Sequence, residues 1–244
     1  IDDHDSQEVL INGELNEVIS AKYANNIDIN TIPAMQSQDS VTIDLMIVYT
    51  SAAEEWAQSC FPFTENGCTG SRNIESYIEG AIALSQATLD NSQVPIQLRL
   101  VHSYKTDYDE TDDGDISSSE RLRRFTASPF FNPWSVGSFM NDVHNKRDLY
   151  GADIVAGIFD LDDVGGIAWL GNSYSGSPQY AFSLNRIQQI TNTYTLIHEL
   201  GHNFGNAHSR NQNSNAASKQ GGLFEFSTGY RNSFGSPDSG FTTV

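Results

Sequence analysis

The sequence predicts an α/β fold with a twisted, mostly parallel sheet and a short irregular lobe at its C-terminal end. Apolar, β-branched runs alternate with amphipathic helical segments, in the order strand, helix, strand, helix, strand. Strands separated in this way are typically parallel neighbours in one sheet. After about residue 205 the chain becomes rich in Asn, Ser and Gly and loses its periodicity, which predicts the irregular lobe.

The compact domain is expected over residues 41–244, after a polar lead of 40 residues. Residues 1–40 are rich in Asn and Asp, and Pro33 with the polar stretch 36–40 has the composition of a linker. The lead is interpreted either as the remnant of a pro-segment or as a solvated, frayed terminus.

The first elements of the domain are predicted from local patterns. Residues Val41–Tyr49 form a β-branched run, which predicts a buried strand. Residues 71–90 repeat apolar side chains at helical spacing, which predicts a helix with Ser71 as its N-cap. Residues 96–102 alternate between apolar and polar, which predicts a second strand.

Five further elements continue the alternation. They are predicted from apolar runs and helical spacing, and an acidic loop over 104–119 precedes them. In chain order they are a helix over 134–150 that ends at Gly151, a strand over 153–159, two short extended pieces over 167–170 and 180–184, and a helix over 191–204.

Composition limits the partners of the chain. With 31 acidic and 13 basic residues the net charge is −18, which excludes nucleic acid as a partner because phosphates bind clustered Lys and Arg. No apolar run reaches the roughly 18 residues that a membrane-spanning helix needs, so no membrane association is expected. An apolar content of 38% is enough for a packed core. We expect a monomer.

The N-terminus and the cysteines indicate a secreted protein. The chain begins at Ile1 rather than Met, as expected after removal of a signal peptide, and its lack of N-x-S/T sequons is compatible with a bacterial source. Cys60 and Cys68 lie in a short loop with Pro62 and Gly67, where a local disulfide is predicted. Two free thiols are the alternative. A zinc site is disfavoured there because no His or further Cys is near.

Residues 198–208 carry the most informative pattern of the chain, H-E-x-x-H-x-x-G-x-x-H. On a helix, His198 and His202 are four residues apart, so their imidazoles project from one face and can hold one ion. Gly205 can adopt the left-handed conformation that ends a helix, and the turn would return His208 as a third ligand. Three neutral nitrogen ligands leave one position of a Zn²⁺ ion open for water, as in catalytic zinc sites.

Glu199 is the predicted catalytic residue of this pattern. It lies one step round the helix from His198, where it can reach a metal-bound water rather than the metal. A carboxylate there can take the proton of the water as general base and later pass it to a leaving amine. The alternative interpretation, an amphipathic core helix with surface histidines, is disfavoured because five fixed positions rarely coincide by chance.

The pattern in residues 198–208 resembles the zinc signature of the metzincin endopeptidases, and within them the adamalysin/reprolysin-like group and its secreted bacterial members. Residues 43–50 resemble the opening strand of those catalytic domains, 147–155 a helix-to-strand junction of the bacterial members, and 166–171 a G-x-A-x-x-G segment. The resemblance covers residues 41–244. It implies the metzincin fold, with long helices, an active-site helix and a mixed, mostly parallel sheet with an antiparallel edge strand. It also implies a secreted zinc endopeptidase that cleaves proteins or peptides.

The resemblance further implies where a substrate binds. An extended peptide would pair with the edge strand by β-augmentation. Backbone groups of Ile167, Ala168 and Trp169 would align the peptide beside the metal. The Trp169 side chain either borders a side-chain pocket or faces the core.

The sequence departs from the metzincin pattern in its methionines. Metzincins carry a methionine in a turn beneath the zinc, after the third histidine, whereas Met35, Met46 and Met140 all precede His198. We therefore expect the natural chain to continue beyond Val244 and this one to end short of that turn. The alternatives are an inactive zymogen or truncated zinc-binding form without turnover, and a binding protein that uses the same scaffold.

Carboxylates cluster in the acidic loop over 107–115 and, on a smaller scale, at Asp160, Asp162 and Asp163. Calcium prefers such oxygen ligands, although the spacing does not match a twelve-residue Ca²⁺ loop. These groups therefore predict either a Ca²⁺ site or a solvated acidic surface.

Overall fold

The computed structural model describes residues 6–9, 40–59, 73–110, 114–127, 140–209, 222–229, 231–232 and 241–242. Its main sheet has six strands: Ser6–Val9 (β1), Val41–Tyr49 (β2), Ile96–Lys105 (β3), Ile154–Phe159 (β4), Gly166–Trp169 (β5) and Phe182–Arg186 (β6). Their spatial order is β1-β5-β6-β4-β2-β3. Two short strands, Arg231–Asn232 (β7) and Phe241–Thr242 (β8), pair separately.

The main sheet is mixed and mostly parallel, as predicted. β2 pairs in parallel with β3 and β4, and β4 pairs in parallel with β6, whereas β5 runs antiparallel to β6. The strand β5 is not outermost, because β1 pairs in parallel with its other side, from Ser6 opposite Gly166 to Val9 opposite Trp169. The polar lead therefore contributes a strand that the sequence patterns did not predict.

The described residues contain five α-helices: Ser51–Ser59 (α1), Ile74–Asn91 (α2), Ser118–Thr126 (α3), Asn141–Tyr150 (α4) and Thr195–Asn203 (α5). Sequence patterns predicted α2, α4 and α5 but not α1 and α3. The predicted N-cap of α2 is wrong: Asn73, not Ser71, caps the helix by accepting a hydrogen bond from Ser76 N at 3.1 Å. At α4, Gly151 ends the helix with a left-handed φ of 65°, as predicted.

The sheet is buried on both faces, and β2 shows how. Alternate side chains of this strand belong to two separate apolar clusters. One cluster packs the sheet against α1, α2 and α5, and it includes Leu45, Ile47, Ala53, Ile78 and Leu200. The other packs the opposite face against α3 and α4, and it includes Met46, Val48, Leu122, Phe125 and Val143. Burial on both faces explains why β2 is apolar at nearly every position.

Three further predictions concern membrane association, the disulfide and the oligomeric state. None of the helices in the described ranges has the length and apolar character to cross a membrane. The Cys60–Cys68 disulfide falls outside the described residues and stays a prediction, as does the monomeric state.

Candidate metal centre

The metal-binding pattern folds as a helix followed by a sharp turn. His198 and His202 lie on α5. Gly205 follows with a positive φ of 95°, and a Cβ atom there would lie only 2.6 Å from the Cβ of Leu223. Both the backbone conformation and the close packing therefore require glycine. The turn returns the chain so that His208 faces the helix.

The three histidines direct their Nε2 atoms at one another. The distance between these atoms is 3.1 Å for His198 and His208, and 3.2 Å for each of the two pairs that include His202. Tetrahedral ligands at zinc–nitrogen distances of about 2.0–2.1 Å lie about 3.3–3.4 Å apart. The triangle therefore fits three corners of a zinc coordination tetrahedron and leaves the fourth for another ligand.

The surroundings of the histidines favour the neutral imidazole, which is the form that binds metals. Burial, followed by the charge of His208, lowers the pKa of His198 to about 3. Burial is also the main reason why the pKa of His202 lies well below its ordinary value. His202 Nδ1 lies 2.7 Å from Asn206 O and donates to it, because a carbonyl only accepts. This bond leaves the lone pair of His202 Nε2 for a metal.

Glu199 lies on the same helix and is fully buried. Its carboxylate packs against the first residue of β5: a Cβ atom on Gly166 would lie 2.4 Å from Glu199 Oε1 and 2.8 Å from Cδ. Glycine at position 166 thus makes room for the carboxylate beside the strand. The predicted catalytic residue and the predicted substrate strand are direct neighbours.

The three residues predicted to align a substrate, Ile167, Ala168 and Trp169, lie in β5 and are all buried. The indole N–H of Trp169 donates to Thr126 Oγ1 at 2.7 Å, and its ring packs against Tyr180. The Trp169 side chain therefore packs into the apolar cluster that the sheet forms with α3 and α4. The backbone of β5 pairs with β6 on one side and β1 on the other.

The C-terminal end of β5 is hydrogen-bonded to α5. Gly171 N, just beyond the strand, donates to His202 O at 2.8 Å. The side-chain amide of Asn203 donates to Trp169 O at 2.9 Å. The helix that carries Glu199 and two of the histidines is thereby joined to the strand next to it.

Comparison with known proteins assigns the chain to a family. Residues 74–209, more than half of the 244, match metallopeptidase family M12B, reprolysin-like. The chain belongs to this reprolysin-like family. The matched segment contains Glu199 and all three histidines, in agreement with the resemblance seen in the sequence.

A curated relative of this reprolysin-like chain is the peptidyl-Asp metalloendopeptidase of Pseudomonas aeruginosa, 28% identical over 207 residues. The similarity covers 78% of this chain and 30% of the relative, so the chain spans less than a third of the relative's length. Among solved structures, a chaperone–substrate complex matches with a TM-score of 0.48 and 21% identity, over 72% of this chain and 25% of that one. The archaemetzincin of Methanopyrus kandleri matches with a TM-score of 0.30 and 11% identity, over 75% of this chain and 88% of the archaemetzincin chain. Scores below 0.5 do not establish a shared fold, so the assignment rests on the family match.

The structural roles of three residues of this reprolysin-like site did not follow from sequence patterns. Gly166 and Gly171 stand in the G-x-A-x-x-G segment, but the reason for them is the close approach of β5 and α5. At Gly171, a Cβ atom would lie 2.4 Å from Asn203 O. Asn203 occupies a variable position of the zinc pattern, so spacing gives no signal for it.

Some of the acidic groups considered for Ca²⁺ accept hydrogen bonds within the protein. Asp163 accepts from Ser118 N at 3.0 Å, at the start of α3, and Asp160 accepts from Gln188 Nε2 at 2.6 Å. Within the described part of the chain, the three histidines are the one group of His, Cys, Asp or Glu side chains that could hold a metal ion. Because residues 111–113 lie outside that part, the Ca²⁺ site stays a prediction.

Proposed function

We propose that the chain is the catalytic domain of a secreted zinc endopeptidase that hydrolyses peptide bonds in proteins. The observation that carries the proposal is the convergence of three histidine Nε2 atoms, 3.1–3.2 Å apart, on the helix and turn that also hold Glu199. Family membership supports the reaction class, and the Pseudomonas aeruginosa relative is named a metalloendopeptidase. A net charge of −18 suits a protein that stays soluble outside the cell.

In this proposal His198, His202 and His208 hold Zn²⁺. Bound zinc supplies Lewis acidity, which polarises the scissile carbonyl and lowers the pKa of water. Glu199 accepts the proton of the attacking water and returns it to the leaving nitrogen as the C–N bond breaks. The contact of Glu199 with Gly166 supports this role, because it places the carboxylate beside the strand that would align the peptide.

A substrate peptide would lie extended along β5, at the side where β1 pairs in this structure. Main-chain groups of Ile167, Ala168 and Trp169 would fix the register of the peptide. The side chains of all three are buried in the protein. Recognition by this strand would therefore go through the backbone and tolerate many sequences.

A second candidate is an inactive zymogen, and the position of β1 favours it. β1 already occupies the side of β5 where a peptide would pair. β1 also lies next to α5. Glu199 and His202 are both 0% exposed in this arrangement. A substrate could pair with β5 only after β1 leaves.

Cleavage assays with and without zinc test the proposal. The substrates are unfolded casein and a fluorogenic peptide with an internal aspartate, chosen because the Pseudomonas aeruginosa relative is a peptidyl-Asp metalloendopeptidase. The chain is assayed as purified, after treatment with a zinc chelator, and after zinc is added back. Cleavage that the chelator abolishes and zinc restores supports the active enzyme. Bound zinc without any cleavage supports the inactive form, and cleavage that resists the chelator contradicts both.

A further inference from the structure

Asn203, the last residue of the metal-binding helix, bridges the two strands that meet beside it. Its side-chain amide donates to Trp169 O at 2.9 Å and to Phe182 O at 3.2 Å. Trp169 ends β5, and Phe182 begins β6. One side chain therefore connects α5 to both strands.

The two acceptors are the next pair of the antiparallel ladder between β5 and β6. The ladder ends at Ala168 opposite Ser183. In the same register, Trp169 faces Phe182, and the carbonyls of both residues accept from the Asn203 amide. A carbonyl oxygen can accept two hydrogen bonds, so the amide joins both strands at the end of their ladder.

The partners fix the orientation of the Asn203 amide. Carbonyl oxygens only accept, so the side-chain nitrogen must be the atom that faces them. The Oδ1 atom of Asn203 is buried and has no hydrogen-bond partner among the residues that the structure describes. A buried acceptor without a partner is unfavourable. The free energy gained from the two strand contacts is therefore reduced by the burial of Oδ1.

The other contacts between α5 and β5 lie on either side of this bridge. Gly171 N donates to His202 O at 2.8 Å, beyond the C-terminal end of the strand. At the N-terminal end, Gly166 lies against the Glu199 carboxylate. The strand is therefore held at both ends on the helix that carries the predicted general base and two metal ligands.

We propose that Asn203 is a positioning residue that fixes β5 relative to α5, so that a peptide paired with β5 presents its scissile bond to Glu199 and the metal. This inference rests on the proposed function. Asn203 contacts the strand and acts through it, rather than on the substrate or the metal. Its removal should therefore displace the peptide while the histidines still bind zinc.

Substitutions at Asn203 and at a matched asparagine separate displacement of the peptide from loss of zinc. Asn203→Asp keeps the shape of the side chain but turns an oxygen toward two carbonyls, and Asn203→Ala removes the group. Asn203→Gln keeps the amide on a longer stem. Asn192, which is exposed, receives the Asp and Ala changes as the control.

The expected result is a loss of turnover on extended substrates without a loss of zinc. For N203D, kcat/KM on a peptide long enough to span β5 should fall about 100-fold, the effect of a displacement of about 1 Å. A peptide too short to span β5 should lose less, and the affinity for acetohydroxamate, a small zinc ligand, should not change. Asn203→Gln should recover part of the activity, and the Asn192 variants should stay within about twofold of wild type.

Hydrogen exchange gives a readout that does not depend on turnover. In N203D, backbone amides of residues 166–171 should exchange faster, while those of Ile154–Phe159 keep their rates. Faster exchange across the whole sheet, loss of zinc, or wild-type cleavage of the extended peptide by N203D would each overturn the positioning role. Absence of cleavage by the wild-type chain would contradict the proposed function instead, and the exchange rates would still decide whether Asn203 holds β5.

Discussion

The carboxylate of Glu199 occupies the space that a side chain at position 166 would need. A Cβ atom on Gly166 would lie 2.4 Å from Glu199 Oε1, whereas real Cβ contacts essentially never fall below 3.0 Å. The predicted general base is thus fitted against the first residue of the predicted substrate strand. A side chain added at position 166 must therefore displace the Glu199 carboxylate.

Gly166→Ala should therefore lower activity through Glu199. We expect kcat/KM to fall about 100-fold and the free energy of unfolding to fall by about 1–3 kcal/mol, with zinc still bound. Gly80→Ala is the control, because its new methyl group would meet Thr191 Cγ2 at an ordinary 3.4 Å. Peptide cleavage, zinc content and urea unfolding are measured for both variants. Wild-type turnover by Gly166→Ala would show that Glu199 does not need its observed position.

Release of β1 should raise activity if this strand blocks the substrate. Only alternate residues of a parallel strand donate N–H groups to a given neighbour, so proline at both Gln7 and Glu8 removes at least one donor toward β5. With each hydrogen bond contributing about 1 kcal/mol, cleavage of the extended peptide should rise about fivefold or more. Gln7→Ala with Glu8→Ala keeps the backbone donors and serves as the control. Equal activity of the two double variants would remove β1 from any inhibitory role.

Glu110 should make stability depend on pH. It is buried, and its carboxylate accepts hydrogen bonds from Thr50 Oγ1 and, at 3.1 Å, from Asp160 N, in the connection that leads to β5. Burial raises the pKa of Glu110 above its ordinary 4.5, and nearby Asp160 raises it further, although the Thr50 hydrogen bond and the charge of Arg121 oppose the shift. Because the pKa of Glu110 is raised in the folded state, its contribution to the free energy of unfolding is complete below about pH 4.5. That contribution is lost as the pH rises through the folded-state pKa.

Urea unfolding of the wild-type chain and of Glu110→Gln checks the direction of this pH dependence. The free energy of unfolding of the wild type, relative to Glu110→Gln, should fall as the pH rises from about 4.5 toward neutrality. Glu55→Gln, at an exposed glutamate of α1, is the control. A difference between wild type and Glu110→Gln that stays constant over this range would contradict the prediction.

The features that depend on local spacing could be predicted from the sequence. The strand Val41–Tyr49 has its predicted bounds, because burial on both faces leaves a continuous apolar run in the chain. The zinc pattern also depends on local spacing. Two predicted ligands lie on one helix face and a glycine turn brings the third, so the predicted ligands and Glu199 all lie within eleven consecutive residues, 198–208.

The features that depend on tertiary contacts could not be predicted. The strand Ser6–Val9 forms by pairing with β5, and its own sequence is too short and polar to indicate it. The roles of Gly166 and Asn203 follow only from the approach of α5 to β5. The helix α3 did carry a local signal, since Ser117 accepts from Glu120 N at 3.3 Å in a capping arrangement, but the acidic composition around it favoured a loop.

The most direct test of the account compares the wild-type chain with Glu199→Gln at equal zinc occupancy. Glutamine keeps nearly the same volume but cannot accept the proton of the attacking water, so zinc should bind as before. Turnover of the fluorogenic peptide should fall by about 100-fold or more, the usual contribution of general acid–base catalysis. The Glu55→Gln variant should cleave like wild type. Wild-type turnover by zinc-loaded Glu199→Gln would contradict the assignment of the general base, and with it the proposed mechanism.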